Sequence, residues 1–339
     1  MTKTLKFLAS AAVVAAVAVG GCAYLLFSSP FKVTETAYVY VDRDDTMDSL
    51  RNKVQSVGQA KSMMGYDLMS VLKRFSKPRT GCYAIEPGLD AFTCVRRLAN
   101  GSQSPIMLTV PEVRTIQDMA DRLAPQLMLS ADEIVEILRD SVFMDSLGYS
   151  KETLPCLFVP NTYEAYWNMS AQGLVNRLNK EKNAFWSEER TSKAKSIGMT
   201  PEEVVTLASI VESETSYGPE KATVAGLYKH RLDIGMPLQS DPTVIFAIGD
   251  FNIHRVTFEQ LRFNSPYNTY VNTGLPPGPI RIPSIQGIDA VLNYEHNDYL
   301  YMCAKEDFSG SHNFTSSYAA HLQNAARYQK ALNQRGIMK

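Results

Sequence analysis

Two glutamates stand two residues apart where an apolar helical run, Leu207–Thr215, comes to its end. A carboxyl group beside apolar side chains is poorly solvated when charged, so its pKa rises. A raised carboxyl pKa is what a general acid needs near neutral pH. We therefore expect acid chemistry from Glu212 or Glu214. The alternative is that both are solvated surface residues, as most glutamates near a helix end are.

The helix that positions these glutamates has a well-defined predicted start. Thr200 suits the N-cap, Pro201 suits the first helical position, and Glu203 completes a capping box. The predicted helix therefore runs from Pro201 to about Glu214. Side chains two apart on a helix diverge by about half a turn, so Glu212 and Glu214 are not expected to flank one substrate atom.

A later segment has the composition of a binding loop. Residues 265–280 are dense in Asn, Thr, Tyr, Gly and Pro, and the prolines exclude a regular helix or a central strand. Aromatic faces and amide groups suit sugars, because they offer stacking area and paired hydrogen bonds. The alternative is a proline-stiffened connector. Together with an acidic glutamate, this segment predicts chemistry on a glycosidic bond.

Two mechanisms on a glycosidic bond are open at this point. Most glycoside hydrolases use two carboxyl groups, and Asp241, in a predicted loop, is a candidate partner for the glutamate. A single-carboxylate mechanism is simpler, because one glutamate can protonate the leaving oxygen and then accept a proton from a substrate hydroxyl. The sequence contains no HExxH, GxSxG, Walker or Rossmann pattern, so we expect neither a metal nor a cofactor.

The N-terminus predicts a membrane tether. Lys3 and Lys6 precede an uncharged run over 7–27 that is long enough to cross a bilayer as a helix, and the lysines favour a cytoplasmic tail over 1–6. The competing interpretation is a lipoprotein cleavage box at Val19–Cys22. The sequence speaks against it, because the apolar run continues past the cysteine, where a cleaved signal usually becomes polar. Both interpretations place the rest of the chain outside the cytoplasm.

The net charge and the spacing of the cysteines argue against a nucleic-acid-binding protein and against a zinc site. The 339 residues include 34 basic and 35 acidic side chains, and a net charge of -1 gives no electrostatic case for nucleic-acid binding. Five cysteines show no zinc-site spacing. Cys82 and Cys94 are either a disulfide or two buried free thiols.

The pattern of periodic segments predicts an α+β fold. Two strand–turn–helix units, with strands at Gly81–Ile85 and Ile106–Val110 and helices at Ala91–Leu98 and Thr115–Leu123, suggest a small α+β module that resembles the LysM-like fold. A boundary follows near residues 155–162. The other periodic segments predict strands over 31–42 and 299–304, and helices over 46–56, 130–140, 163–187, 222–231 and 316–333.

Several motifs, taken in order, resemble the MltG (YceG-like) endolytic murein transglycosylases of bacteria. The matching stretches are Leu207–Thr215, Gly235–Thr243, Tyr267–Tyr270, Gly274–Ile280 and His312–Phe314. The resemblance implies a transmembrane anchor over 7–27, a LysM-like module over 31–155 and an α+β YceG-like catalytic domain over 156–339.

The resemblance also implies roles for particular residues. Glu212 is expected to be the catalytic acid/base. The residues expected at or near the glycan groove are Glu214, Gln239, Ser240, Asp241, Asn268, Tyr270 and His312.

The implied reaction is cleavage within peptidoglycan strands, between N-acetylmuramic acid and N-acetylglucosamine, to give 1,6-anhydro-muramyl ends and so terminate strand elongation. Peptidoglycan strands are the expected substrate and peptidoglycan synthases are candidate partners. The expected location is the inner membrane, single-pass, with the C-terminal part periplasmic. Two alternatives stay open, namely a glycan-binding scaffold with structural glutamates and a muramidase that uses water as nucleophile.

Overall fold

The computed structural model describes residues 3–253 and 255–335 and has the predicted α+β character. Six strands pair in three two-stranded sheets, β1 with β2, β3 with β4 and β5 with β6. The strands are β1 Ala37–Val41, β2 Gly81–Ile85, β3 Ile106–Val110, β4 Asn161–Ala165, β5 Tyr301–Ala304 and β6 His312–Thr315. The helices are α1 Lys3–Phe27, α2 Met47–Val57, α3 Met64–Leu72, α4 Ala91–Asn100, α5 Ile116–Leu123, α6 Ala131–Arg139, α7 Ser141–Ser146, α8 Ala171–Phe185, α9 Glu188–Ser196, α10 Pro201–Glu214, α11 Lys221–Asp233, α12 Asp241–Ile248, α13 Ile285–Leu292 and α14 Tyr318–Gln334.

The chain divides into two compact units. The first unit contains the chain up to Leu108, with Gln126–Leu129 and Glu164–Met169. The second unit contains Thr109–Pro125, Ser130–Tyr163 and the chain from Ser170 onward. The predicted domain division between residues 155 and 156 stays a prediction.

The first unit is built on the antiparallel pair β1–β2, whose register runs from Ala37 opposite Ile85 to Val41 opposite Gly81. Helices α2, α3 and α4 bury apolar side chains against this pair, and Val41, Leu50 and Val54 are fully buried in the resulting core. Within the described residues, α1 is the one helix long and apolar enough to cross a membrane.

Cys82 and Cys94 are both buried in the first unit as free thiols. Burial disfavours the thiolate, so it raises the pKa of Cys82 to about 11 and that of Cys94 to about 12. These two cysteines therefore pack as small apolar side chains.

The second unit is centred on α10, in which all eight residues from Val204 to Val211 are buried. The predicted capping box is present, since the Glu203 N–H donates to Thr200 Oγ1 over 3.2 Å and the Thr200 N–H donates to Glu203 Oε2 over 2.7 Å. Helices α11, α12 and α13 pack around α10, and α14 packs on the β5–β6 hairpin. The helix that carries both glutamates is thus held in the unit's core.

Two sequence predictions about local structure were wrong. The segment 163–187 is not one helix, because β4 runs to Ala165 and α8 begins only at Ala171, where the Ser170 hydroxyl accepts the Gly173 N–H. Asp241 is not in a loop, because α12 begins at this residue. Pro242 follows at the second helical position, where no N–H partner is needed.

Candidate active site

Glu214 is the last residue of α10, and its carboxyl group lies among buried polar groups. The Tyr228 hydroxyl donates to Glu214 Oε1 over 2.7 Å, and Ser240 Oγ donates to the same oxygen. In the part of the chain that the structure describes, Oε2 accepts no hydrogen bond. Oε2 is therefore the oxygen on which a transferable proton can sit.

Burial raises the pKa of Glu214 above its ordinary value, because desolvation disfavours the carboxylate. The hydrogen bonds from Ser240 and Tyr228 oppose this rise, and the negative charge of Asp241 adds to it. The net result is a carboxyl group that keeps its proton to higher pH than an exposed glutamate, as a general acid requires.

Glu214 lines a cavity of about 330 Å³ in the second unit. The cavity combines two carboxylates, a buried arginine and several aromatic rings, which is a lining suited to a polar ligand with apolar faces. The lining residues are Glu214, Leu227, Tyr228, Arg231, Gln239, Asp241, Tyr270, Tyr301, Met302, Tyr318 and His321.

Glu212, two residues earlier, has a different environment. Lys221 Nζ donates to Glu212 Oε1 over 2.7 Å and Ser284 Oγ donates to Oε2 over 2.7 Å, so both carboxylate oxygens are engaged. The side chains of this ion pair are only 10% exposed for Glu212 and 5% exposed for Lys221. Glu212 does not line the cavity that Glu214 lines. Its contacts tie α10 to α11 and to the start of α13.

Gly287, in the first turn of α13, allows this close approach. A Cβ atom at Gly287 would lie 2.6 Å from Glu212 Oε2. Gly287→Ala is therefore expected to lower the free energy of unfolding by about 1–3 kcal/mol, because either α13 or the Glu212 carboxyl group must shift and disturb the ion pair. Thermal denaturation beside Ala290→Gly, a change of one methyl group in the same helix, checks this. A Gly287→Ala protein as stable as the parent would contradict it.

The turn before α12 holds Ser240 against Glu214. Gln239 has a φ of 53°, a left-handed conformation that is costly for a residue with a Cβ. Its N–H donates to the Thr269 carbonyl over 3.0 Å, and the Ser240 N–H donates to Thr269 Oγ1 over 3.0 Å. Ser240 is completely buried. Ser240 therefore positions the Glu214 carboxyl group, whereas Gln239 contributes to the cavity wall.

Asp241 and Tyr270 meet in the cavity wall. The Tyr270 hydroxyl donates to Asp241 Oδ1 over 2.6 Å. Burial and this hydrogen bond to a carboxylate raise the pKa of Tyr270. The contact fixes the second carboxylate of the cavity on the wall that also carries Glu214.

Asn268 lies behind this wall rather than in it. Its amide nitrogen donates to the carbonyls of Leu261 and Phe263, over 3.0 and 2.8 Å, and its Oδ1 accepts the Tyr270 N–H over 2.9 Å. Because Asn268 is fully buried, its polar groups shape the loop that presents Tyr270.

His312, at the start of β6, is bound to Glu220 rather than to either glutamate of α10. The His312 N–H donates to Glu220 Oε1 over 2.6 Å, and His312 Nδ1 lies 3.0 Å from Glu220 Oε2. Through its charge, His312 opposes the rise in the Glu214 pKa. Glu220 therefore orients the histidine near the acidic site.

Sequence reasoning missed two cations on the apolar side of α11. Arg231 is 7% exposed and donates to the carbonyls of Leu300, Pro237 and Leu238. Burial lowers the pKa of Arg231. The sequence contained a signal for these cations, because Lys221 and Arg231 lie on the same side of the helix as apolar residues. Charged residues are rarely buried unless they are paired.

Known proteins resemble this chain over most of its length. The endolytic murein transglycosylase of Bacillus subtilis (strain 168) is 26% identical over 316 residues, which cover 88% of this chain and 87% of the relative. The endolytic murein transglycosylase of Streptococcus pneumoniae serotype 2 (strain D39 / NCTC 7466) is 25% identical and covers 96% of this chain, which spans 64% of that relative.

A solved structure shows the same fold. The 2.6 Å crystal structure of the yceG-like protein lmo1499 from Listeria monocytogenes matches with a TM-score of 0.56 and 23% identity, covering 86% of this chain and 99% of that chain. The model of the YceG-like family matches residues 39–327. The chain belongs to the YceG-like family.

Proposed function

We propose that this protein is an endolytic peptidoglycan lytic transglycosylase, a lyase that cleaves within glycan strands. The observation that carries the proposal is the partly buried Glu214 carboxyl group, with a raised pKa, in the wall of a cavity that also carries Asp241 and aromatic rings. The relatives named endolytic murein transglycosylase support it.

The proposed reaction uses one carboxyl group twice. Glu214 gives its proton to the glycosidic oxygen of N-acetylglucosamine as the bond from that oxygen to C1 of N-acetylmuramic acid breaks. The C6 hydroxyl of the muramyl residue then attacks C1, and the Glu214 carboxylate accepts the hydroxyl proton. A 1,6-anhydro ring forms, no water is consumed, and Glu214 is protonated again for the next cycle.

The geometry favours Glu214 over Glu212 for the acid role. Both carboxyl oxygens of Glu212 are engaged by Lys221 and Ser284, and Glu212 does not line the cavity that Glu214 lines. We therefore assign Glu212 to positioning the end of α10. In the same proposal, Gln239, Asp241 and Tyr270 contact the glycan, whereas the other predicted groove residues, Ser240, Asn268 and His312, position groups around it.

A muramidase is the second candidate, because Glu214 and Asp241 lie in one cavity and two carboxyl groups suit hydrolysis. Mass spectrometry of peptidoglycan digested by the full chain in detergent micelles distinguishes the two. Anhydro ends are expected. Reducing ends without anhydro ends would replace the lyase with a hydrolase, and binding without release of fragments would favour a scaffold.

The pH profile gives a further prediction. The protonated form of Glu214 starts the reaction, so kcat/KM falls as pH rises through the Glu214 pKa. The Ser240 hydroxyl lowers that pKa by stabilising the carboxylate, so Ser240→Ala is expected to move the alkaline limb to higher pH. Ser213→Ala, which removes a hydroxyl bonded to the Ser209 carbonyl, is the control. A limb that moves to lower pH in Ser240→Ala would contradict the assignment.

The proposal includes the location of the enzyme. Helix α1 anchors it in the inner membrane, with the C-terminal part periplasmic, where it terminates strand elongation close to peptidoglycan synthases. In this proposal residues 31–155, which resemble the LysM-like fold, bind the sugar backbone of the glycan and so provide a second contact with the substrate. An uncleaved anchor is favoured over lipidation at Cys22, because α1 continues without interruption to Phe27.

A further inference from the structure

Helix α3 carries an apolar face that no other described part of the chain covers. Met64, Leu68, Val71 and Leu72 recur at helical spacing and share one side. Met64, Val71 and Leu72 are 62%, 75% and 62% exposed. The other side of the helix is buried in the core of the first unit through Gly65, Tyr66 and Met69.

The same helix packs against the end of α1. A Cβ atom at Gly65 would collide with the Leu25 carbonyl oxygen, so the two helices touch at backbone level. Two residues further along α1, the Phe27 ring lies 5.3 Å from the ring of Phe92 in α4. The last turn of α1 is therefore fixed to the first unit.

The end of α1 marks the edge of a membrane that α1 would span. The apolar stretch Leu5–Phe27 has 23 residues, which is roughly 35 Å of helix against about 30 Å of hydrocarbon. Tyr24 and Phe27 are 72% and 63% exposed near its end, and aromatic rings favour the membrane interface. Helix α3, in contact with Leu25, therefore lies at the level of that interface.

The exposed charged side chains that flank α3 in the sequence are basic. Its one acidic residue, Asp67, is held by Arg51 through two hydrogen bonds of 2.7 and 2.8 Å. Exposed basic residues flank the helix on both sides, at Lys61, Lys73, Arg74, Lys77 and Arg79. Apolar side chains bordered by lysine and arginine are the composition of helices that lie in the plane of a membrane with anionic lipids.

We propose that α3 is an interfacial helix that inserts its apolar face into the leaflet where α1 ends, with the flanking basic residues against anionic headgroups. The inference rests on the proposed membrane anchor. The spanning helix and α3 then attach the first unit to the bilayer at two places and hold it in one orientation. With the spanning helix as the single attachment, the helix and the first unit could tilt together relative to the bilayer.

Site-directed spin labelling of the full chain tests this proposal. Cys22 and Cys303 are replaced by serine, and single cysteines are introduced as Val71→Cys on α3, Val13→Cys on α1 and Asp48→Cys on α2. Each labelled protein is reconstituted in vesicles of phosphatidylethanolamine and phosphatidylglycerol. Power saturation then compares collisions with oxygen, which enriches in lipid, and with a water-soluble nickel chelate.

The expected result is a lipid-exposed label at residues 13 and 71 and a water-exposed label at residue 48. Replacing Lys73 and Arg74 by glutamine is expected to raise nickel accessibility at residue 71 at least twofold. A water-exposed label at 71 with a lipid-exposed label at 13 would overturn the α3 proposal alone. A water-exposed label at 13 would overturn the anchor as well. A label at 71 shielded from both reagents would indicate a protein partner and contradict the proposal.

Discussion

Replacing Glu214 by glutamine is expected to lower the rate of glycan cleavage by about 10²–10⁴-fold, the range that a positioned general acid contributes. Glutamine keeps the size of the side chain and can still accept the hydrogen bonds from Tyr228 and Ser240 at its amide oxygen. It cannot give a proton to the leaving oxygen or take one from the C6 hydroxyl. Release of anhydro-ended fragments from purified peptidoglycan, measured at several times, gives the rate.

Glu188→Gln is the matched control for this variant. Glu188 is an exposed residue of α9 in the same unit, so its replacement should leave both the rate and the thermal midpoint unchanged. Peptidoglycan binding by Glu214→Gln should stay within a few-fold of the parent protein, because the substitution removes no bulk from the cavity. A Glu214→Gln protein that cleaves at the parental rate would remove Glu214 from the reaction.

Replacing Lys221 by methionine is expected to be strongly destabilising. It leaves the Glu212 carboxylate buried without its cation, and the loss of one partner of a buried ion pair costs roughly 3–5 kcal/mol. For a unit of this size the thermal midpoint should fall on the order of 10 °C. Circular dichroism of the full chain in micelles, heated with and without the substitution, measures the shift.

A double variant separates the charge from the packing. In Lys221→Met with Glu212→Gln the buried charge is absent, so most of the stability lost in Lys221→Met should return. Lys193→Met, at a pair whose lysine side chain is 44% exposed, should change the midpoint little because exposed pairs contribute little. A Lys221→Met protein with the parental midpoint would show that the pair does not hold α10 to α11.

Local sequence signals were sufficient to predict the bounds of α10, the helix that carries Glu212 and Glu214. Thr200, Pro201 and Glu203 fixed its start because capping depends on residues within one turn, and the helix runs from Pro201 to Glu214 as predicted. Strands Gly81–Ile85 and Ile106–Val110 were also predicted correctly, since each is a short apolar run bounded by turn residues.

The choice between the two glutamates depended on contacts that no local pattern contains. Glu212 is paired with Ser284, 72 residues further along the chain, and Glu214 accepts from Ser240, 26 residues away. The helix alone predicts that the two side chains diverge, and only the packing of α11, α12 and α13 decides which one reaches the cavity. The family resemblance placed the acid at Glu212, whereas the geometry favours Glu214.

Asn268 illustrates a second limit. An amide in a loop rich in tyrosine suggested a sugar contact, but its donors and acceptor are used by neighbouring backbone groups of the same loop. Asparagine favours such local bonds in turns. The loop's composition therefore did not distinguish Asn268, which shapes the loop, from Tyr270, which lines the cavity.

The most direct test of the central claim compares Glu214→Gln with Glu212→Gln on the same peptidoglycan, at a temperature where both are folded. The fragments are counted by mass spectrometry per folded molecule. We predict that Glu214→Gln releases anhydro-ended fragments at least about 10²-fold more slowly than the parent protein, whereas Glu212→Gln is less stable but releases them at a rate close to the parental one. Cleavage by Glu214→Gln with none by Glu212→Gln would contradict the account and return the acid role to Glu212.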